Sequence, residues 1–331
     1  MIITDADPVP RECRGGAAAI GNFDGVHRGH QALLAEARRR SEGLGGPMGL
    51  ITFEPHPRSF FRPDEPVFRL SGLALKARLA EGLGARFTAA VTFDRGLANL
   101  EAEAFVEKIL VERLGIRHLV TGPDFHFGHG RRGNTETLRR LGEANGFTLS
   151  ILDQVTGADG LSPFSSSSIR TALRHGHVEA AGRDLGYWWT VIGEVVEGDK
   201  RGRAIGFPTA NIVLQPGVDP KEGIYAMRVR IEGSRESLCG AGYVGMRPTF
   251  ATNRRFLEVH LLDFSGDLYG KRLTVDFIGF IRPDRTFSGV EPLVAQMRED
   301  CAAARQRYAA LQQNDPLTEF PLGRLQAEGR L

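Results

Sequence analysis

The sequence is poor in cysteine, and its three thiols do not form a recognisable set. Cys13, Cys239 and Cys301 are an odd number in a chain of 331 residues, lie far apart and show none of the CxxC spacings that bind zinc. This pattern argues against a disulfide-stapled secreted domain. We expect reduced thiols in a cytoplasmic protein.

Long apolar runs are missing as well. No stretch approaches the length of a membrane-spanning helix, and the first twenty residues lack the basic start and apolar core of a signal peptide. We therefore expect no membrane partner.

An excess of one charge sign is also missing. The 42 Lys and Arg residues against 40 Asp and Glu residues leave a net charge of +2, which is too small to indicate a nucleic-acid partner. Small anionic substrates remain compatible with this balance. The P-loop pattern GxxxxGK[ST] occurs nowhere, so any ATP site has to be built in another way.

The first part of the chain, to about residue 186, alternates short apolar runs with segments of helical period. This rhythm predicts an α/β domain, a parallel sheet covered by helices. The expected helices are 30–40, 71–83, 103–114 and 135–145, and the expected strands are 17–20, 48–53, 89–93, 118–121 and 148–152.

From Tyr187 the rhythm changes to strand after strand, which predicts a small antiparallel β-barrel followed by a helix. The expected strands are 190–196, 224–231, 238–244, 257–264 and 273–280, and the helix is 289–311. The last twenty residues hold Pro316, Pro321 and Gly323, so we expect them to be loosely ordered. The predicted domains are 1–186 and 187–312, with a tail at 313–331.

A candidate phosphate site lies where the first helix begins. The stretch AAAIGNFDGVHRGHQALLAEARRR leads from a strand through a glycine-rich turn into the helix, with His27 and His30 near its first turn. Unpaired backbone N–H groups and the helix dipole favour bound phosphate there. Two alternatives stay open. The histidines could merely hydrogen-bond a capped turn, or bind zinc, although a third ligand and the HExxH glutamate are missing.

The whole decapeptide GNFDGVHRGH is more specific than its two histidines. It resembles the HxGH nucleotidylyltransferase superfamily, and in particular the flavin adenylyltransferase half of the bacterial bifunctional riboflavin kinase/FAD synthetase family. The segments FEPHP, GPDFHFG and FSSSSIR follow in the family's order. The resemblance implies a Rossmann-like domain with a parallel sheet.

For this half, the resemblance implies a site for ATP with Mg2+ screening charge. His27 and His30 would hold the phosphates as catalytic residues, and Arg170 would clamp the leaving pyrophosphate. The family usually has arginine where this chain has Ser168, which would weaken that clamp. The other implied ATP-binding residues are Gly21, Asn22, Phe23, Asp24, Ser165 and Ser166.

The GPDFHFG segment matches the part of the family that lines the flavin pocket. By this resemblance Asp124, Phe125 and Phe127 are flavin-binding residues. An aromatic pair suits a stacked isoalloxazine ring. Core packing at a strand end explains the two phenylalanines nearly as well.

A second candidate phosphate site lies in GDKRGRAIGFPTANIVL. Gly198, Lys200, Gly206 and Pro208 are its candidate ATP-binding residues. A threonine and an asparagine two apart on a strand, Thr209 and Asn211, project to one face and could orient Mg2+ and its nucleotide. Taken alone, such a loop is more often a charged hairpin.

The segments GIYAMRV, VGMRPTF, LEVHLLDF, LYGKRLTV and IRPDRTF then resemble the riboflavin kinase domain over about 187–308. The resemblance implies that Thr209 and Asn211 bind metal and nucleotide, and that Glu258 is the catalytic base. A carboxylate suits the removal of a proton from a hydroxyl that attacks the γ-phosphate. The alternation around Glu258 fits a solvated face equally well.

Together these features predict a bifunctional enzyme that makes FMN from riboflavin and ATP, then FAD from FMN and ATP. The expected partners are riboflavin, FMN, FAD and ATP, and the expected assembly is a monomer or weak homo-oligomer. Three alternatives remain: one active half only, most plausibly the kinase; a flavin or nucleotide sensor; and an RNA-binding module using Lys200, Arg201 and Arg203. The near-neutral charge disfavours the last of these.

Overall fold

The computed structural model describes residues 1–157, 162–198, 202, 205–249 and 252–331. The chain divides into two compact units. Unit 1 comprises Met1–Val67 and Ser71–Ser165, and unit 2 comprises Phe68–Leu70 and Ser166–Leu331. The boundary between Ser165 and Ser166 lies earlier in the chain than the predicted domain limit at residue 186. The predicted domain limits stay a prediction.

Unit 1 is built on a six-stranded parallel sheet with the strand order β1-β4-β3-β2-β5-β6. The five predicted strands are confirmed, and the short β1, which pairs with β4, had not been predicted. The strands are β1 (Ile2–Thr4), β2 (Ala17–Ile20), β3 (Met48–Glu54), β4 (Phe87–Thr92), β5 (His118–Thr121) and β6 (Thr148–Ile151).

The helices of unit 1 join these strands in the predicted alternation. Where a helix was expected at 103–114, the chain forms one α-helical turn that continues as a π-helical stretch, Val106–Arg113. The α-helices are α1 (Arg28–Leu44), α2 (Pro57–Phe61), α3 (Leu73–Gly82), α4 (Arg95–Ala98), α5 (Ala102–Phe105) and α6 (Thr135–Asn145).

A polar cluster occupies the β5–β6 edge of this sheet. The two ring nitrogens of His118 lie 2.6 Å from Thr148 Oγ1 and 2.9 Å from Ser150 Oγ. The Ser150 hydroxyl donates to Glu36 on α1 at 3.1 Å. Burial, with a smaller contribution from the nearby Arg40 charge, lowers the pKa of His118 to about 4. The histidine is therefore neutral in the folded unit at neutral pH.

Unit 2 begins with two helices and continues as a closed six-stranded antiparallel barrel, which confirms the predicted barrel. The barrel order is β10-β11-β8-β7-β12-β9, so the short β8, not among the predicted strand ranges, closes it. The elements are α7 (Ser166–Arg174), α8 (Val178–Leu185), β7 (Thr190–Val196), β8 (Ala210–Val213), β9 (Gly223–Ile231), β10 (Leu238–Thr249), β11 (Thr252–Leu261) and β12 (Arg272–Arg282).

Alternation along the strands separates an apolar interior from an outer face. Leu257 and Val259 of β11 are fully buried, as is Val229 of β9. Glu258, which lies between Leu257 and Val259 on β11, therefore points outwards. The predicted C-terminal helix is confirmed as α9 (Val290–Gln313), which packs on the outer face of β9, β10 and β12.

The expectation of a loosely ordered tail is wrong. After α9 the chain forms a 3-10 turn, Pro316–Glu319, and α10 (Pro321–Ala327). Leu317 and Leu322 are buried with about 1% exposure or less. Proline fits the first turn of a helix, where its missing N–H is not needed, so Pro316 and Pro321 start helices here.

The tail covers a buried polar network on the barrel. Asp276 is wholly buried and accepts from Arg228 Nε (2.8 Å) and Arg230 Nη1 (2.9 Å). The Gln326 amide donates to Asp276 Oδ1 at 2.9 Å, and Asp315 accepts from Arg228 Nη1 at 3.2 Å. Burial raises the pKa of Asp276, but the Arg230 and Arg228 charges outweigh it and leave that pKa lowered. The tail is thus part of the polar structure of the barrel.

Across the described part of the chain, the helices are too short or too polar to span a bilayer.

Candidate functional sites

The first candidate site is a cavity of about 250 Å³ in unit 1, at the carboxyl ends of the parallel strands. Residues that follow β2, β5 and β6 line it: Ile20 and Gly21, Thr121 and Gly122, and 152–155. Between β2 and β5 the strand order reverses direction, because β3 and β4 lie on one side of β2 and β5 lies on the other. Open α/β sheets bind ligands at such a point.

The start of α1 forms one wall of this cavity. His27 is the N-cap of α1, and His30 lies in its first turn. Their rings stack with centroids 3.7 Å apart, and Phe23 packs 4.8 Å from His30. Both histidines and Phe23 line the cavity. The expected placement of the histidine pair at the helix start is confirmed, and the helix dipole favours an anion there.

The turn before α1 is strained. Phe23 and Val26 have φ values of 46° and 41°, a region that side-chain-bearing residues rarely adopt, and Gly25 between them has a φ of 81°. Hydrogen bonds to one serine hold the turn: Gly25 N donates to Ser71 Oγ (2.9 Å), and Ser71 N donates to Asp24 Oδ1 (3.1 Å). Strain of this kind is common where a backbone must approach a ligand.

Two of the predicted ATP-binding residues, Asn22 and Asp24, are not among the residues that line the cavity. Asp24 is buried and directs its carboxylate at Ser71. Asn22 has an exposed side chain, and its carbonyl accepts from Thr52 Oγ1 at 3.0 Å. Gly21, by contrast, lines the cavity. Nucleotide binding by Asp24 and Asn22 stays a prediction.

The predicted flavin segment is divided between cavity and core. Asp124 and Phe125 line the cavity, whereas Phe127 is 6% exposed and belongs to the core of unit 1. The rings of Phe125 and Phe127 stack with centroids 5.6 Å apart. Phe125 therefore has the position to meet a ligand, and Phe127 packs against its ring.

The serine segment crosses from one compact unit to the other. Ser165 lines the unit 1 cavity together with Phe164, whose ring lies 4.6 Å from the guanidinium of Arg28 on α1. Ser166 and Arg170 belong to α7 in unit 2, where Arg170 Nε donates to the Phe68 carbonyl at 2.6 Å. Ser168 is exposed on the same helix.

The second candidate site is a cavity of about 400 Å³ in unit 2, on the outer face of the barrel beside α9. Tyr243, Glu258 and His260 of β10 and β11, with Thr209 just before β8, line one side. The other side is formed by 282–287 and α9, with Arg282, Asp284, Arg285, Phe287, Leu293, Met297, Asp300 and Cys301.

Strand register brings the predicted kinase residues together. Glu258 on β11 is directly opposite Asn211 on β8, and directly opposite Tyr243 on β10. Opposite residues of an antiparallel pair project to the same face, so the three side chains form one row across three strands. His260 lies two positions further along β11, with Nδ1 at 2.8 Å from the Pro208 carbonyl.

Asn211 has the features of a ligand-binding amide. Its side chain is 5% exposed, and its Nδ2 lies 3.3 Å from the Thr209 carbonyl. Its Oδ1 is buried and makes no hydrogen bond within the described structure. Buried polar atoms normally have a partner, so this oxygen suits a bound ligand. Among the described residues no cluster of His, Cys, Asp or Glu could hold a metal ion.

The predicted ATP loop of unit 2 is described in part. Gly198 packs against the Asn211 amide, so that an added Cβ would lie 2.6 Å from Asn211 Cγ. Gly206 occupies a turn with a φ of 87°. Lys200, together with Arg201 and Arg203, lies outside the described residues.

Several cavity residues were not predicted as site residues from the sequence. The face of α9 with Leu293, Met297 and Cys301 was expected from its helical period, but its place in a cavity wall was not. Tyr243 and Asp284 carried no local signal. All three cysteines are free, as expected, and burial raises the pKa values of all three thiols, to about 12 for Cys239.

Comparison with known proteins follows the same division of the chain. The family model for FAD synthetase matches residues 9–167, and that for riboflavin kinase matches residues 185–308. The bifunctional riboflavin kinase/FMN adenylyltransferase of Pseudomonas fluorescens is 44% identical over 295 residues, covering 89% of this chain and 93% of the relative. The Escherichia coli K12 protein of the same name is 38% identical over 306 residues, covering 92% and 96%.

A solved structure matches the fold over nearly the whole chain. The protein titled macrolide-efflux protein from Streptococcus pneumoniae is 29% identical and superimposes with a TM-score of 0.79, covering 92% of this chain and 98% of that one.

Proposed function

This chain belongs to the bifunctional riboflavin kinase/FMN adenylyltransferase family and carries both activities, and from that premise we propose that each cavity is the site of one reaction. The unit 2 cavity phosphorylates riboflavin. The unit 1 cavity adenylylates the FMN that results. Both reactions use ATP as co-substrate.

In the kinase reaction, Glu258 is the general base. Its carboxylate takes the proton of the ribityl hydroxyl as that oxygen forms a bond to the γ-phosphorus of ATP and the bond to the β-phosphate oxygen breaks, which yields FMN and ADP. The support is the row that joins Glu258 to Asn211 across neighbouring strands. Both belong to the same side of the barrel as Thr209.

Thr209 and Asn211 are suitable residues to hold Mg2+ in the kinase site. A hydroxyl and an amide oxygen are hard donors of the kind this ion prefers, and the buried Asn211 Oδ1 has unused acceptor capacity. When bound, Mg2+ would neutralise charge on the ATP phosphates. Gly198, Lys200, Gly206 and Pro208 are the proposed residues around that nucleotide.

In the adenylyltransferase reaction, placement matters more than proton transfer. The FMN phosphate is already an anionic nucleophile. It forms a bond to the α-phosphorus of ATP as the bond to pyrophosphate breaks, so the site has to screen charge and align the groups. His27 and His30 at the start of α1 hold the ATP phosphates, with Gly21 and Phe23 beside them.

The remaining adenylyltransferase residues are proposed from the family resemblance. Ser165, Ser166 and Arg170 hold the pyrophosphate, Asp124 and Phe125 contact the flavin, and Phe127 acts through Phe125. Asn22 and Asp24 complete the proposed nucleotide set. We also keep the domain limits 1–186, 187–312 and 313–331, a cytoplasmic location, and a monomer or weak homo-oligomer as proposals.

The observation that carries the proposal is the pairing of Asn211 with Glu258, which lines the kinase cavity, together with the histidine pair at the strand-order reversal. The test is a product assay with riboflavin, ATP and Mg2+, repeated with FMN in place of riboflavin. The proposal predicts FMN and then FAD in the first assay, and FAD with pyrophosphate in the second. FMN that accumulates without FAD would leave only the kinase half.

A further inference from the structure

Tyr243 lines the kinase cavity next to Glu258, yet neither reaction described above uses it. Register on β10 and β11 puts it directly opposite Glu258, in the row that ends at Asn211. The phenol is therefore a neighbour of the proposed base and not a distant core residue. Its ring is half-buried.

The Tyr243 hydroxyl contacts the wall opposite the barrel. Its Oη donates to Asp284 Oδ2 at 3.0 Å, and the other oxygen of that carboxylate accepts from the Arg285 backbone N at 2.8 Å. Burial, the hydrogen bond to Asp284 and the nearby negative charges raise the pKa of Tyr243 to about 12. The phenol therefore keeps its proton at neutral pH and acts as a donor.

The 282–287 segment, to which Asp284 belongs, supplies two residues of the cavity wall. Arg285 and Phe287 both line the cavity, and the guanidinium of Arg285 lies 4.8 Å from the Phe287 ring centroid. The start of this segment is anchored to α9, since Arg282 makes two hydrogen bonds of 2.8 and 2.7 Å to the Asp300 carboxylate. Asp284, in the middle of the segment, is anchored to the barrel by the Tyr243 hydroxyl.

Gly245 determines where the tyrosine ring lies. The ring extends along β10 over this glycine, so that an added Cβ would lie 2.6 Å from Tyr243 Cε1 and closer still to the hydroxyl. A side chain at position 245 would displace the far end of the tyrosine. Glycine at position 245 thus leaves space for the Tyr243 hydroxyl at the point where that hydroxyl meets Asp284.

Resting on the assignment of the kinase reaction to this cavity, we infer that Tyr243 is a positioning residue for riboflavin. Its hydroxyl holds Asp284, and through Asp284 it fixes the wall that Arg285 and Phe287 present to the flavin ring. Glu258 and Asn211 remain the residues that act on the reacting atoms. Loss of the hydroxyl therefore weakens flavin binding more than it slows the chemical step.

The test is the steady-state kinetics of riboflavin phosphorylation by the full-length chain. For Tyr243→Phe we expect the KM for riboflavin to rise about 10- to 150-fold, the factor for one hydrogen bond to a charged group, with kcat changed less than about threefold. The KM for ATP should stay unchanged. Gly245→Ala keeps the hydroxyl but displaces it, so it should raise the same KM.

Tyr308→Phe is the matched control. It removes a tyrosine hydroxyl that donates to the Ser237 carbonyl at 2.7 Å, in the same unit but away from the cavity lining. It should lower thermal stability without changing the KM for riboflavin. The native fluorescence of Trp188 and Trp189, which both lie in unit 2 with the substituted residues, checks the folding of each variant.

Three outcomes would overturn the inference: an unchanged KM for riboflavin in Tyr243→Phe, an equal rise in the KM for ATP, or a large fall in kcat at constant KM. None of these affects the assignment of the two reactions. That assignment fails instead if the unmodified chain forms no FMN, or if the Glu258→Gln variant forms FMN at the normal rate.

Discussion

The two proposed sites use different parts of the chain for the same co-substrate. In unit 1 the proposed phosphate site is the start of one helix and the turn before it, and its central side chains, His27 and His30, are three residues apart. In unit 2 the proposed site is a row of side chains from three strands, and Asn211, Glu258 and Tyr243 meet only through register. A local segment defines the first site, and the tertiary fold defines the second.

The largest effect should come from removing the proposed base of the strand-built site. Glu258→Gln keeps the side-chain shape but removes the proton acceptor, so FMN formation should fall about 10²- to 10⁴-fold. FAD formation from supplied FMN should stay within about twofold of the parent chain, as expected if the sites are independent. Separate rate measurements with riboflavin and with FMN check both statements. A parallel loss of both activities would show that the two sites are not independent.

The complementary experiment removes a proposed phosphate-binding side chain from the site at the start of α1. His30→Ala should lower FAD formation from FMN about 10²- to 10³-fold, the usual cost of one preorganised donor, and leave FMN formation intact. His129→Ala is the matched control, because His129 is an exposed histidine of the same unit outside the cavity lining. Normal FAD synthesis by His30→Ala would contradict the phosphate-site assignment.

Lowering the pH should destabilise unit 1 over a higher pH range than unit 2. His118 is neutral in folded unit 1, and its pKa of about 4 lies below the ordinary 6.5. Between these values the unfolded chain takes up a proton that the folded unit does not, so unit 1 loses up to about 3 kcal/mol as the pH falls from 6.5 to 4. Asp276 in unit 2 has a lowered pKa, and its contribution is lost only below the ordinary value of 3.8.

The two tryptophans make this difference measurable. Trp188 and Trp189 are the only tryptophans of the sequence and both lie in unit 2, so their fluorescence follows unit 2 alone, whereas far-UV circular dichroism follows both units. At pH 5 the dichroism transition should begin at a lower temperature than the fluorescence transition, and His118→Gln should reduce the gap. Coincident transitions at pH 5 that separate only below pH 3.8 would refute the role of His118.

The smallest effect should come from a change in the packing around Asn211 in the strand-built site. Gly198→Ala places a methyl group against the Asn211 amide, which should lower kcat/KM for FMN formation roughly 10- to 100-fold by displacing a ligand of the proposed nucleotide site. FAD formation should be unaffected. Gly43→Ala is the control, since nothing lies within 4 Å of its added Cβ. Wild-type kinetics for Gly198→Ala would mean that the Asn211 position does not matter.

The contrast between the sites also explains what the sequence could predict. The place of His27 and His30 followed from a strand, a glycine-rich turn and a helix start, all within one short segment. That Glu258 shares a face with His260 followed from alternation, but its position opposite Asn211 and Tyr243 required the pairing of β8, β10 and β11. Sequence spacing does not contain that register.

The tail shows a different limit of sequence reasoning. Pro316, Pro321 and Gly323 are typical of irregular chain, and they led to the wrong expectation. In the structure the prolines begin helices, and Gly323 permits close packing, because a Cβ there would lie 2.6 Å from the Leu317 carbonyl carbon. The buried Leu317 and Leu322 were visible in the sequence, but the surface that they cover was not.

The network around Asp276 has a consequence for biosynthesis. Strands β7, β9 and β12 leave the ribosome before the segment that carries Asp315 and Gln326, so the nascent barrel displays Arg228, Arg230 and Asp276 without the partners that later cover them. Domains that fold during translation do so as whole units. The buried charges of the kinase half therefore gain their last partners only when this late segment has been made, whereas the sheet of the adenylyltransferase half is already complete at that stage.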